Sequence, residues 1–273
     1  MLTQAIDFRE ECESLYAAFA RCNDDWFDQA TQFKEWTTND VLVHLHIWNR
    51  AADWSLSDPE RFDSFMTEVR EAASRGEHHQ VVAYQLLGAA RGRALLEQWH
   101  DFYLDMTPRF EAADPEQRLK WAGPDMSASM SITARQMETW SHGQEIFDLL
   151  GEQRVEADRI KNIVVLGVMT FGWTFANRKI ERPEVKPHLR LVAPSGDIWT
   201  WNEPSDTERI DGTAVDFARV VTQVRNVADT DLQLSGESAK QWMAIAQCFA
   251  GSPVAPPVPG SRFKGPGTGG VHS

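Results

Sequence analysis

Glu138 and His142 stand four residues apart in the run Arg135-Gln-Met-Glu-Thr-Trp-Ser-His-Gly143. On an α-helix that spacing puts a carboxylate and an imidazole on one face, one turn apart. A pair so placed can grip one metal ion, and a single further donor would complete a catalytic-type site with a coordination position left open. The same spacing also arises on helices that do no chemistry. Leu149 falls on the same side, flanked by Ile146 and Leu150, so the helix also uses this face for burial. A buried carboxylate without a partner is costly, which calls for a metal, a cation or an Arg nearby. Arg135 lies one turn away and offers the purely structural alternative, an Arg135–Glu138 helix pair with His142 hydrogen-bonded beside it.

A third donor is sought among the early histidines. Thr37 or Thr38 can cap a helix running from about Asn39 to Trp54, on which Val41, Leu45, Trp48 and Ala52 fall within about 40° of one another. His44 lies roughly 60° from the middle of that stripe, at the edge of the core, where an imidazole must find a partner. His46 lies about 140° away among Asn49, Arg50 and Asp53, and is expected to face solvent. Alone, a core-edge histidine is more often a packing residue than a ligand. Together with Glu138 and His142 on a later helix, His44 makes a workable three-ligand site. The adjacent pair His78-His79 sits in a charged loop, where neighbouring side chains point apart, and reads as surface.

The elements that must carry these residues follow from periodicity and punctuation. An amphipathic helix spans about Ala5 to Ala20. Another starts at Asp58-Pro59, a cap followed by a first-turn proline, and runs to about Ala73. A long helical region from Gln80 to Phe110 is expected to bend near Gly92, and Asp114 to Ser131 reads as a loop. The helix bearing Glu138 and His142 runs from about Ile132 to Leu150 and is closed by Gly151, with one further helix from Ala157 to Asn177. The proline-containing Arg178–Pro187 stretch marks a boundary, after which Leu189–Val192, Ile198–Trp201, Glu208–Ile210 and Leu232–Leu234 read as strands among two helices. The expected domains are therefore a helical unit over 1–180, a small α+β unit over 181–250, and a Pro/Gly-rich tail over 251–273, disordered or extended along the surface.

Composition excludes whole classes of function. The chain has 273 residues, 42% hydrophobic, and a formal charge of −13, which opposes a role in coating nucleic acid. Eleven tryptophans suggest broad aromatic walls. Three cysteines, an odd number without a Cys-x-x-Cys pair, fit a reducing cytoplasm. No apolar run reaches the roughly 18 residues of a membrane span, and the charged first ten residues do not resemble a signal peptide. No P-loop, dinucleotide-binding glycine fingerprint or nucleophile elbow occurs.

The segments Trp36-Thr-Thr-Asn-Asp-Val-Leu-Val-His44-Leu and Arg135-Gln-Met-Glu138-Thr-Trp-Ser-His142-Gly-Gln-Glu-Ile resemble the metal-binding motifs of the mycothiol-dependent maleylpyruvate isomerase-like proteins, in the DinB-like superfamily. Gly123-Pro-Asp-Met126, Leu166-Gly-Val-Met-Thr-Phe-Gly-Trp173 and Ala246-Gln-Cys-Phe-Ala-Gly251 are similar to an actinobacterial-type subgroup without an assigned reaction. The resemblance spans nearly everything but the tail. It is specific for fold and metal rather than for substrate or oligomeric state.

What the resemblance implies is a mainly α chain: a DinB-like four-helix bundle followed by a sterol-carrier-like α+β domain, with His44, Glu138 and His142 as metal ligands. Zinc suits two imidazoles and a carboxylate best, with nickel or iron as alternatives. The implied activity is activation of a low-molecular-weight thiol such as mycothiol, or of water, toward an electrophilic small molecule, in an isomerase or S-transferase type of reaction. Arg135 and Arg225 are candidates to hold an anionic substrate. The rival is a metal- or thiol-binding module without turnover.

Overall fold

The computed structural model describes residues 1–262, so the part of the expected tail from 263 onward lies outside the described residues. The chain divides into two compact units, Met1–Ile146 and Phe147–Ser273.

The first unit is helical: α1 (Thr3–Ala20), a 3-10 turn at Asp24–Asp28, α2 (Thr38–Ser57), α3 (Pro59–Ser74), α4 (Gln80–Leu87), α5 (Gly92–Ala112), a two-residue hairpin of β1 (Arg118–Leu119) and β2 (Met126–Ser127), and α6 (Ala128–Leu150), inside which the division between units falls. Local chemistry explains the starts. Thr37 caps α2 through a reciprocal box: its hydroxyl accepts from the Asp40 amide, and the Asp40 carboxylate accepts from the Thr37 amide. Asp58 accepts from the Arg61 amide and Pro59 opens α3. The expected long helix from Gln80 to Phe110 is instead two: Gly88 (φ 72°, ψ −153°) ends α4 and Gly92 (φ 56°) opens α5, both at positive φ that glycine adopts without a Cβ penalty.

The packing follows the apolar faces. α5 lies against α1 and α2, and α2 also meets α3 and α4. α6 reaches α1 where Cys12 Sγ approaches Thr139 Oγ1 (3.9 Å), and α2 through the Arg135 side chain. Trp99, Tyr103, Phe110 and Trp140 are fully buried in the core. α2 is thus covered on several sides, and Arg109 of α5 even pairs with Asp53 at 2.7 Å on the side expected to be polar.

The second unit contains α7 (Lys161–Met169), α8 (Phe171–Asn177), β3 (His188–Val192), β4 (Ile198–Trp201), β5 (Arg209–Thr213), α9 (Ala214–Val221), β6 (Gln233–Ser235) and α10 (Glu237–Ile245). The sheet order is β4-β3-β5-β6, with β3 and β5 parallel and the outer pairs antiparallel. Leu189, Leu191 and Ile210 face inward from the central strands. The single helix expected over 157–177 is broken at Thr170. α7 and α8 group with the sheet, whereas the sequence places them before a boundary at 180. The reason is close packing of α7 on α9, where Gly167 leaves no room for a side chain beneath Val221 and Phe217. Residues 251–262 carry no helix or strand, yet they are held. The Val254 carbonyl accepts from Arg178 and Gln223, and the Pro257 carbonyl accepts from Asn226. All three cysteines are buried, and no helix among the described residues is long and apolar enough to cross a membrane.

Candidate metal centre

α2 and α6 bring three side chains to one point. His44 Nε2 lies 3.1 Å from Glu138 Oε2, and His142 Nε2 lies 3.3 Å from the same oxygen. The two imidazole centroids are 4.6 Å apart. Each residue offers one donor atom such that all three lie within 4.8 Å of one another, the only such group of His, Cys, Asp or Glu found among the described residues. The four-residue spacing on α6 produces half of this geometry. The Thr37 box fixes where α2 starts, and His44, in the second turn of that helix, faces Glu138 of α6. The carboxylate is the more open member: 24% of the Glu138 side chain is exposed, against 11% for each histidine, so it can be approached from one side.

The electrostatics are those of a ligand set. Burial pushes the His44 imidazole down to about 3, helped by the charges of His142 and Arg135 and opposed by Glu138, so His44 is neutral at physiological pH. Burial works to raise the Glu138 carboxyl, but the hydrogen bonds with His142 and His44 overcome it and hold the group well below the usual carboxylate range. A neutral imidazole and an ionised carboxylate are the states that bind a divalent cation. A tetrahedral site with bonds of about 2.0–2.2 Å sets its donors roughly 3.3–3.6 Å apart. The 3.1 and 3.3 Å separations come close to two of those edges, the whole donor set lies within 4.8 Å, and three protein donors would leave a fourth position for another ligand. The residues fit such an ion.

Aromatic rings wall the centre. Trp36 stacks on His142 (5.7 Å, 14°) and lies 5.3 Å from His44, while Phe33 meets His142 edge-on at 5.0 Å. Both come from a tight loop in which the Thr31 amide donates to the Trp36 carbonyl at 2.7 Å. Lys34 and Glu35 in its middle take φ of 52° and 58°, conformations that side-chain-bearing residues seldom adopt. Trp48 lies 6.4 Å from His44 and 5.4 Å from Trp121, extending the wall.

Several sequence expectations change here. His46 is buried, not solvent-facing: its ring meets Phe102 of α5 at 5.4 Å, and burial lowers it to about 3. α5 covers the face that the helical wheel left open. His78 is exposed as expected, but His79 turns inward, 5.8 Å from His44 and 5.9 Å from Trp48, with a buried Nε2 that bonds nothing among the described residues. Burial lowers it to about 4. The pattern of a helix start with a histidine just before it was its only sequence signal.

The two arginines expected at a substrate carboxylate are both engaged elsewhere. Arg135 is buried, and its Nε–H donates to Asn49 Oδ1 at 2.9 Å rather than to Glu138. Arg225, in the second unit, makes a bidentate pair with Asp148 at 2.6 and 2.8 Å.

Comparison with known proteins places the chain in a family. The family described as the mycothiol maleylpyruvate isomerase N-terminal domain matches residues 8–147, which contain all three donors. An uncharacterized protein of Mycobacterium tuberculosis (strain ATCC 25618 / H37Rv) is 34% identical over 247 residues, covering 90% of this chain and 95% of its own length, and its counterpart in strain CDC 1551 / Oshkosh matches equally. A crystal structure of a mutant of the mycothiol-dependent maleylpyruvate isomerase superposes with a TM-score of 0.51 at 13% identity, covering 80% of this chain and 87% of that one. That likeness is one of fold.

Proposed function

The chain belongs to the mycothiol maleylpyruvate isomerase N-terminal domain family, and from that membership we propose that it is a divalent-metal enzyme of the isomerase or S-transferase type, with His44, Glu138 and His142 as the ligands. The observation that carries this reading is one carboxylate oxygen within 3.1 and 3.3 Å of imidazole nitrogens supplied by two different helices. Zinc suits the donor set best, with nickel or iron as alternatives. When bound, such an ion lowers the pKa of a thiol or water at its vacant position and so supplies a nucleophile near neutral pH.

The chain's own residues prepare that position. Trp36 and Phe33 hold the His142 ring in orientation, and with Trp48 they keep bulk water from the donors. The exposed edge of Glu138 marks the side from which a small molecule arrives. His79, neutral and with an idle Nε2, can hydrogen-bond that molecule. Lys34 is close enough to depress both His78 and His79, and is the cation best placed to meet a substrate carboxylate now that Arg135 and Arg225 are committed. The family name supplies the candidate thiol, mycothiol, and the candidate electrophile, maleylpyruvate or a relative. The three buried cysteine thiols suit a reducing cytoplasm.

Incubating the zinc-loaded chain with mycothiol and a panel of electrophiles that includes maleylpyruvate tests the reading. Thiol adducts or isomerised product should form, and should vanish on chelation and in Glu138→Gln. Turnover that survives chelation would overturn the metal role. A metal-loaded chain that consumes neither thiol nor electrophile would be a binding module instead.

A further inference from the structure

Arg135 is 1% exposed and stands one helical turn before Glu138. A guanidinium taken out of water is costly unless its donors are satisfied. Its hydrogen-bond partners among the described residues are both on α2: Nε–H donates to Asn49 Oδ1 at 2.9 Å, and an Nη2–H donates to the Leu45 carbonyl at 3.4 Å. Leu45 directly follows His44, and Asn49 lies one turn further along the same helix. Asn49 is itself fully buried. The side chain therefore bridges the turn after one candidate ligand to the turn before the other two. The planar fork of a guanidinium suits this work, because it holds two acceptors at fixed separation where an ammonium would act as a point. Its charge also interacts favourably with the Glu138 carboxylate one turn along α6.

We propose that Arg135 is a positioning residue: by fastening the Leu45–Asn49 turn of α2 to α6, it sets the distance and phase between His44 and the Glu138–His142 pair. This rests on the metal reading of the site. It replaces a substrate-binding role for Arg135 with a structural one that acts through the ligands.

The test uses the full chain with zinc or cobalt(II) alone as the probe. Arg135→Met, Arg135→Lys and Asn49→Ala are compared with wild type for folding by circular dichroism, for zinc affinity by competition with a chromophoric chelator, and for the visible absorption of the cobalt(II) form. Loss of a group that orients metal ligands typically weakens binding roughly 10–100-fold. Arg135→Met should lose affinity in that range and show a shifted or weakened cobalt band. Arg135→Lys should recover part of both, and Asn49→Ala should fall between Arg135→Met and wild type. A folded Arg135→Met with zinc affinity within about twofold of wild type and an unchanged cobalt spectrum overturns the proposal. A change confined to substrate KM does so too. If Arg135→Met does not fold, Asn49→Ala decides by the same criteria. Wild type that binds no metal overturns the function proposed above and this inference with it. Metal-binding wild type with indifferent variants overturns the inference alone.

Discussion

Chelation distinguishes a metal centre from a self-contained Glu–His cluster, because the two respond oppositely. All three candidate ligands lie in the Met1–Ile146 unit, so its unfolding reports on the ion. At free zinc 100-fold above the dissociation constant, binding stabilises the folded state by about 2.7 kcal/mol. A unit of this length shifts by roughly 3 °C per kcal/mol, so removing the metal should lower its thermal midpoint by about 8 °C. Structural four-ligand sites bind zinc with about 10–16 kcal/mol, or roughly 2.5–4 kcal/mol per ligand. His142→Ala should therefore lose on the order of 10²–10³ in affinity, and at the same zinc concentration its midpoint should barely respond to chelator. In the self-contained cluster, His142 only hydrogen-bonds Glu138 at 3.3 Å. His142→Ala would then cost about 1.5–3 kcal/mol whether chelator is present or not, and the wild type would ignore chelator. Thermal scans of both proteins with zinc and with chelator, alongside elemental analysis of the dialysed chain, measure this. Superimposable wild-type scans and far less than one metal per chain would refute the reasoning.

Further outcomes follow from other parts of the structure. Asp148→Ala, which strips the buried Arg225 of its bidentate carboxylate, should destabilise the second unit by about 3–5 kcal/mol in urea unfolding, far more than an exposed pair would. Gly167→Ala places a Cβ 2.8 Å from Val221 Cγ2 and 3.0 Å from Phe217 Cε1, and should cost about 1–3 kcal/mol. Adding Val221→Ala should relieve part of the clash, and an additive double variant would contradict the packing account. Thr37→Ala removes the capping box of α2 and should cost about 1 kcal/mol in chemical denaturation. His79→Ala should keep a full complement of metal, because its ring lies 5.8 Å from His44 against 4.6 Å for His142. It should nonetheless weaken capture of thiol or electrophile in direct binding measurements, and metal loss in this variant would make it a ligand.

The reach of the sequence differed from element to element. The caps at Thr37 and at Asp58-Pro59 were legible because capping is local: the acceptor and the amide it satisfies lie within three residues. The strands at 188–192 and 198–201 were legible for the same reason, their turn and alternation being contained in fourteen residues. The break between α4 and α5 was partly visible at Gly92 and missed at Gly88, since a glycine permits a left-handed turn without demanding one. The grouping of α7 and α8 with the sheet had no local signature, because it depends on Gly167 meeting residues some fifty positions later.

At the site the same division holds. The four-residue spacing of Glu138 and His142 and the core-edge phase of His44 are properties of single helices, so the sequence by itself determined which three residues could share an ion. It could not determine what covers the remaining faces. His46 is buried because α5 lies over it, and His79 turns inward because the chain returns past His44 at the start of α4. Arg135 and Arg225, read as candidates to hold a substrate carboxylate, find acceptors on elements distant in sequence. Periodicity reports which residues share a face, but solvent exposure and partner choice are decided by whichever element packs there. Those contacts are fixed only when the helices meet.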